Sequence, residues 1–232
     1  MKAVSGNLAS VIFYGDPHGE WEPLRVACRD ERPDAVVILG DCDLDQPLRT
    51  QLASVFEAGI PVHWIPGNHD TDKVEYFDHL WGDCPEGNLH ARCCLFGGLA
   101  VAGLGGVFKG RIWLPRHELA EPLHASCKAY LRRLPRQKLW RGGLPLAMRD
   151  AIFPEDVDAL RNRRADVLVT HEAPSCHRHG FVGIDLAAAQ CRARLIVHGH
   201  HHESYEGVLP SGTPVRGLAK AEVFRLRREH LP

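Results

Sequence analysis

The stretch Val197-His198-Gly199-His200-His201-His202-Glu203-Ser204 carries four histidines within five residues. Imidazoles at that density point to metal ligation. Oxygen donors able to complete a ligand set recur upstream in short clusters: Asp16-Pro17-His18, Gly40-Asp41, Gly67-Asn68-His69-Asp70 and Thr170-His171-Glu172. Mixed carboxylate and imidazole ligation suits manganese, iron or zinc better than calcium or copper(I). In an extended chain His198, His200 and His202 would share one side and His201 the other. Spacing therefore does not choose among the first three, and His201 is expected to face solvent.

Each cluster follows a short apolar run, at residues 11–14, 35–39, 62–65, 167–169 and 195–197. Continuous rather than alternating hydrophobicity marks strands covered on both faces. Helices are expected between several of them, over 20–28, over 46–58 with Gly59 and Pro61 as stop signals, and over 185–193. Residues 93–106 predict a hairpin turning at Gly97-Gly98, and 205–224 predict short strands around Pro210-Ser211-Gly212. Residues 108–162, rich in proline, tryptophan and arginine, break the pattern, with helical potential near 117–134. Such alternation argues for an α/β fold, read as one domain over 1–232. In open α/β sheets the carboxyl ends of the strands form the ligand-binding edge, where the five clusters would meet. Their donors exceed what one ion needs; two ions roughly 3.5–4 Å apart, sharing a bridging carboxylate, account for the number.

Composition narrows the partners. Lys and Arg total 28 against 29 Asp and Glu, a net charge of -1, which provides no general field for nucleic acid or an anionic membrane. The N-terminus MKAVSGNLAS lacks the apolar core of a signal peptide, and no apolar run approaches the roughly 18 residues of a membrane span; a soluble, cytoplasmic protein is expected. The eight cysteines form no C-x-x-C pair, so free thiols are expected rather than a zinc or redox motif.

The ordered set D-x-H, G-D, G-N-H-D, H-E-A-P and G-H-x-H resembles the calcineurin-like metallophosphoesterase superfamily. Here it reads Asp16-Pro17-His18, Gly40-Asp41, Gly67-Asn68-His69-Asp70, His171-Glu172-Ala173-Pro174 and Gly199-His200-His201-His202. The resemblance implies an α/β fold of the four-layer α/β/β/α sandwich type, with a partly helical insertion around 108–162, and two divalent metal ions: manganese first, with iron, zinc or nickel as alternatives. Carried over by position, it implies that Asp16, His18, Asp41 and His202 hold one ion. Asp41 bridges to the second, held also by Asn68, His171 and His200, while His69 sits outside both coordination spheres near the phosphoryl group. His198 is left as a packing or supporting residue. In the protein-phosphatase branch the bridging Asp is followed three residues on by an Asp that pairs with the motif histidine; here that position is Leu44, between Asp43 and Asp45. Asp70 is a candidate partner for His69, with a helix N-cap as its competing role.

The implied reaction is hydrolysis of phosphate mono- or diesters by hydroxide generated at the metal pair, with Asp41 and His69 as the catalytic residues. A nuclease of the same superfamily and a non-catalytic scaffold on the same fold are the alternatives. The substrate partner is a phosphorylated compound whose identity the motifs do not specify; nucleic acid is not expected. His177 and His179 could reach substrate from a loop, and Lys109 and Arg111 could meet an anion. The run Arg132, Arg133, Arg136, Lys138, Arg141 and Arg149, with Trp140, is read as a solvated face before a nucleic-acid surface.

Overall fold

The computed structural model describes residues 10–231; the reading of the N-terminus as free of a leader rests mainly on residues 1–9, which lie outside these. β1 (Ser10–Tyr14) passes through α1 (Glu22–Glu31) to β2 (Ala35–Ile38), and two short helices, α2 (Leu48–Gln51) and α3 (Ala53–Glu57), lead to β3 (Val62–Trp64). After α4 (Val74–Phe77), the hairpin of β4 (Arg92–Phe96) and β5 (Leu99–Leu104) begins a second sheet. Next come α5 (Cys127–Leu131), α6 (Pro154–Ala159), β6 (Val167–Thr170), α7 (Val182–Cys191) and β7 (Leu195–His198). β8 (Tyr205–Val208), β9 (Pro214–Gly217) and β10 (Val223–Arg227) follow.

The first sheet has the order β10-β1-β2-β3 and the second β4-β5-β6-β7-β9-β8. β1, β2 and β3 run parallel, as do β5, β6, β7 and β9. The antiparallel strands β10, β4 and β8 lie at sheet edges.

Burial explains the unbroken apolar runs. In β1, Val11 and Phe13 face the space between the sheets, packed in one cluster with Val37, Val101, Val169 and Val197. Ile12 and Tyr14 face the other way, into a cluster with Leu24, Val36, Leu48 and Val55 under α1 to α3. In the second sheet Leu168 and Ile196 face outward onto Val157, Ile184 and Ala187 of α6 and α7, while Val167, Val169, Leu195 and Val197 point inward. Four layers, α/β/β/α, result from this period of two on strands buried on both sides.

The hairpin turns at Gly97 and Gly98, both at positive φ, and all eight cysteines are free thiols. No helix among the described residues is long and apolar enough to cross a membrane. Helix boundaries shift. α1 starts later than expected because Pro23 occupies its first turn. The helix expected over 46–58 divides at Leu52, whose ψ is 32°. α7 begins a turn early and stops at Arg192, which is left-handed at φ 54°.

Residues 117–134 form far less helix than expected. Only Cys127–Leu131 is helical, capped by Ser126 Oγ, which accepts from Ala129 N at 3.0 Å. Pro122 removes a backbone donor just where the longer helix would need it. The insertion instead packs Phe108, Ile112, Trp113, Tyr130 and Phe153 onto the outer face of the second sheet.

Replacing the fully buried Leu168 with alanine is expected to cost about 2–5 kcal/mol and to lower the urea midpoint accordingly. Leu95→Ala, at a position 70% exposed on edge strand β4, should stay within about 0.5 kcal/mol.

Candidate metal centre

Five loops at the carboxyl ends of β1, β2, β3, β6 and β7 meet across the seam between the sheets. Three hydrogen bonds tie the sheets there: His171 Nδ1 donates to Leu39 O at 2.8 Å, His200 N to Asp16 Oδ2 at 2.8 Å, and Gly106 N to Pro66 O at 2.5 Å. Six of the residues in these loops are left-handed: Asp16, His18, Asp41, Asp43, His200 and His202, with φ between 32° and 72°. Each such non-glycine conformation costs on the order of 1 kcal/mol or more and persists only where the surroundings impose it. His200 and His202 therefore do not continue the extended backbone of β7, and the side-to-side alternation expected for the histidine run stops at His198.

Two groups of donor atoms result. In one, His18 Nε2 lies 3.0 Å from His202 Nε2 and 3.8 Å from Asp41 Oδ2. In the other, His171 Nε2 lies 3.1 Å from Asn68 Oδ1, 3.2 Å from His200 Nδ1 and 3.3 Å from Asp41 Oδ2. Because His171 Nδ1 carries the hydrogen given to Leu39, its Nε2 presents a lone pair to these neighbours unless it takes up a second proton. Imidazole nitrogens bound at 2.0–2.1 Å to one cation would sit about 2.9–3.4 Å apart for cis or tetrahedral angles. The pairs at 3.0 and 3.2 Å have that spacing. Asp16 Oδ1, fully buried, has no hydrogen-bond partner, and a buried orphan of this kind calls for a ligand. The donor set fits divalent cations, with Asp16, His18, Asp41, Asn68, His171, His200 and His202 available to hold them.

Electrostatics agree. Burial pushes Asp16 up to about 7 against the pull of His171. Burial also opposes ionisation of Asp41, but His171 outweighs it and holds that carboxyl well below the usual carboxylate range. For His171, burial disfavours the charge, yet Asp41 and Asp16 overcome it and raise the pKa to about 10. The nest thus retains a proton on an imidazole when no other cation supplies positive charge, and cation binding there would release it. Burial, followed by neighbouring imidazoles, lowers His200 to about 4 and also lowers His202, which leaves both neutral as ligation requires.

His69, half exposed, is not part of either group. Its backbone N donates to Asp41 Oδ1 at 2.8 Å, and its ring centroid is 5.4 Å from that of His18. Its carboxylate partner is Asp72, Oδ2 lying 2.7 Å from His69 Nδ1, and not Asp70. Burial lowers the His69 pKa, but the hydrogen bond to Asp72 and the charge of Asp41 more than offset this and raise it. Asp70 is buried and accepts from Gly67 N at 2.7 Å, Cys42 N at 2.8 Å and Asp41 N at 3.0 Å. It straps two loops together rather than capping a helix of its own. The i, i+3 spacing of His69 and Asp72 was the signal for the pairing.

Other expectations move too. His201 is half buried, its ring stacked on that of His177 at 4.2 Å, instead of facing solvent. His177 is buried in the same cluster, while His179 is exposed. His198 supports from below, Nε2 lying 2.8 Å from Tyr205 Oη. Glu172 is buried, accepting from Phe108 N at 3.3 Å and lying 3.9 Å from His200 Nε2. Lys109 is consumed internally, its Nζ 2.6 Å from both Asp150 Oδ1 and Ala147 O, so it is not a free anion contact; Arg111 is exposed. In the basic run, Arg141 makes a two-point pair with Asp78 and covers the Trp140 ring at 4.3 Å. Arg149 donates to Leu144 O and Trp140 O. These cations dock the insertion onto α4 and the turn after it.

Two facing sheets that gather carboxylates, a carboxamide and imidazoles at one seam have the donor set of a divalent-metal site. The sequence profile of the calcineurin-like phosphoesterases matches residues 9–204, and the chain belongs to that family. An uncharacterized protein of Haemophilus influenzae is 38% identical over 198 residues, 84% of each chain. Among solved structures, a protein of Thermus thermophilus is similar over 95% of this chain and 99% of its own, with TM-score 0.56 and 14% identity. A dimetal phosphatase from Danio rerio is similar over 92% of this chain and 88% of its own, with TM-score 0.53 and 13% identity. The family implies divalent metal and a phosphoesterase activity.

Gly67 touches the centre closely. A Cβ there would collide with Asp41 Oδ1 and come within 2.7 Å of His171 Cε1. Gly67→Ala is expected to displace the Asp41 carboxylate and abolish metal retention, measured by metal analysis after gel filtration. Asp70→Ala would orphan three backbone donors at about 1–3 kcal/mol each, so its urea midpoint should fall more than that of any exposed Asp→Ala variant, Asp45→Ala for example.

Proposed function

We propose that the chain is a binuclear metal-dependent phosphoesterase acting on phosphate mono- or diesters, with manganese the first expectation for both ions. The observation that carries this reading is the position of Asp41: one oxygen, Oδ2, faces His171 Nε2 at 3.3 Å and His18 Nε2 at 3.8 Å. A carboxylate oxygen placed between two imidazole-lined groups has the arrangement of a bridge. His18, His202 and Asp16 would complete one site, and Asn68, His171 and His200 the other. The likeness to a dimetal phosphatase supports two ions over one.

When bound, the ions supply Lewis-acid stabilisation of phosphoryl oxygens and activation of water for in-line attack. The chain's own contribution is orientation and proton handling. Asp41 Oδ1 accepts from the His69 backbone and so ties that residue to the centre. Asp72 holds Nδ1 of His69, which leaves Nε2 to carry a proton toward the cleft and give it to the departing oxygen. Against burial, the hydrogen bond to Asp72 and the charge of Asp41 raise the pKa of His69, which favours its proton-donating form. A nuclease has less support, because Arg141, Arg149 and Lys109 are engaged in intramolecular contacts and the net charge of -1 provides no general field for a nucleic-acid backbone.

A panel of phosphate monoesters and diesters, with protein loaded with Mn²⁺ and chelator as control, is expected to show metal-dependent turnover. Bound metal with no turnover of any ester would favour the scaffold reading. Asp41→Asn should weaken both sites together and abolish activity in a folded protein; a variant that kept two ions and normal turnover would remove the bridge. His69→Ala should keep its metal and lose about 10²- to 10⁴-fold in rate.

A further inference from the structure

Metal-ligating histidines need their second ring nitrogen occupied, since the acceptor it meets fixes both tautomer and ring orientation. For His171 that acceptor is Leu39 O. We propose that Asp43 does the same for His18: it is a positioning residue that turns the Nε2 lone pair of His18 toward one of the two ions. The proposal rests on the binuclear reading above and adds a residue that no motif assigns.

The geometry is direct. Asp43 Oδ2 lies 3.0 Å from His18 Nδ1, so Nδ1 donates and Nε2 is left free, 3.0 Å from His202 Nε2 and 3.8 Å from Asp41 Oδ2. The backbone is built to bring the two side chains together. His18 N donates to Asp41 O at 2.9 Å and Gly19 N to Cys42 O at 3.2 Å, which zips the loop after β1 to the loop after β2. Both His18 and Asp43 are left-handed, at φ 41° and 48°. Stability alone does not account for this. The His18 and Asp43 side chains are 15% and 30% exposed, and a hydrogen bond to a charged group contributes about 1.5–3 kcal/mol, which does not exceed the roughly 2–6 kcal/mol cost of two left-handed residues. Of the nearby carboxylates, Asp41 faces both donor groups and Asp70 is occupied by three backbone donors. Asp43 is the one left for the outer nitrogen of His18.

The test measures metal rather than rate. Mn²⁺ titration of the metal-free full chain, followed by the ion's paramagnetic signal, should resolve two sites in the unchanged protein. Asp43→Ala is expected to weaken one of them about 10- to 100-fold with no loss of urea midpoint beyond that of Asp45→Ala, an exposed neighbour. Asp43→Asn, whose amide oxygen still accepts from Nδ1, should recover most of the affinity. Equal affinity at both sites in all three proteins would overturn the role of Asp43. So would a loss in Asp43→Ala that Asp43→Asn does not recover. Failure of the unchanged protein to bind two ions would instead overturn the binuclear reading.

Discussion

Everything in this molecule is arranged around two carboxylates, Asp16 and Asp41, held out of water where the two sheets meet. Uncompensated buried charge is among the most unfavourable things a fold can contain. The chain answers it in layers. Backbone donors meet part of it, from His200 on Asp16 and from His69 on Asp41. A buried imidazole meets more, since His171 lies within 3.5 Å of both carboxylates. What remains, including the orphaned Asp16 Oδ1, is a demand that the divalent cations implied by the family would meet. Burial and neighbouring imidazoles hold His200 and His202 below their ordinary basicity, and neutral imidazoles bring lone pairs without adding repulsion to an incoming ion.

Bringing those groups so close requires backbone that ordinary residues resist. Six of the twelve left-handed non-glycine residues among those described lie in the loops that gather these donors, and glycines stand where a side chain would strike a donor atom. A Cβ on Gly199 would fall 2.5 Å from Asp16 Oδ1. The sandwich supplies the support that holds this strain, because β1, β2, β6 and β7, which carry four of the five loops, are packed on both faces. Asp70, receiving three backbone N–H groups from two loops, converts a flexible meeting of loops into one fixed unit.

Strand positions were legible because burial on both faces leaves a signature in composition: runs such as Ala35-Val36-Val37-Ile38 have no other easy interpretation. The ligand types were legible for a related reason, since strand ends in this architecture are where chemistry concentrates. Pairings between side chains were not. Asp72, and not Asp70, pairs with His69 and Asp43 pairs with His18 because of loop conformation, and positive φ at an aspartate or histidine is not written in residue identity. His201 departs from its expected solvent face on the same ground, because the backbone turns left-handed at His200 and His202. The insertion defeated periodicity because its apolar residues, Phe108, Ile112 and Trp113, pack from irregular segments, and local helical preference near 117–126 yields to Pro122.

β1 receives its outer neighbour from the far end of the chain. Phe13 lies opposite Phe224, Gly15 N donates to Glu222 O, and Ala221 N donates to Asp16 O. The first loop of the centre is therefore clasped by a segment more than two hundred positions downstream. Contacts of such long range are slow to form. Until β10 pairs, one edge of β1 is uncovered, and the loop that carries Asp16 lacks the two backbone hydrogen bonds that fasten it from that side.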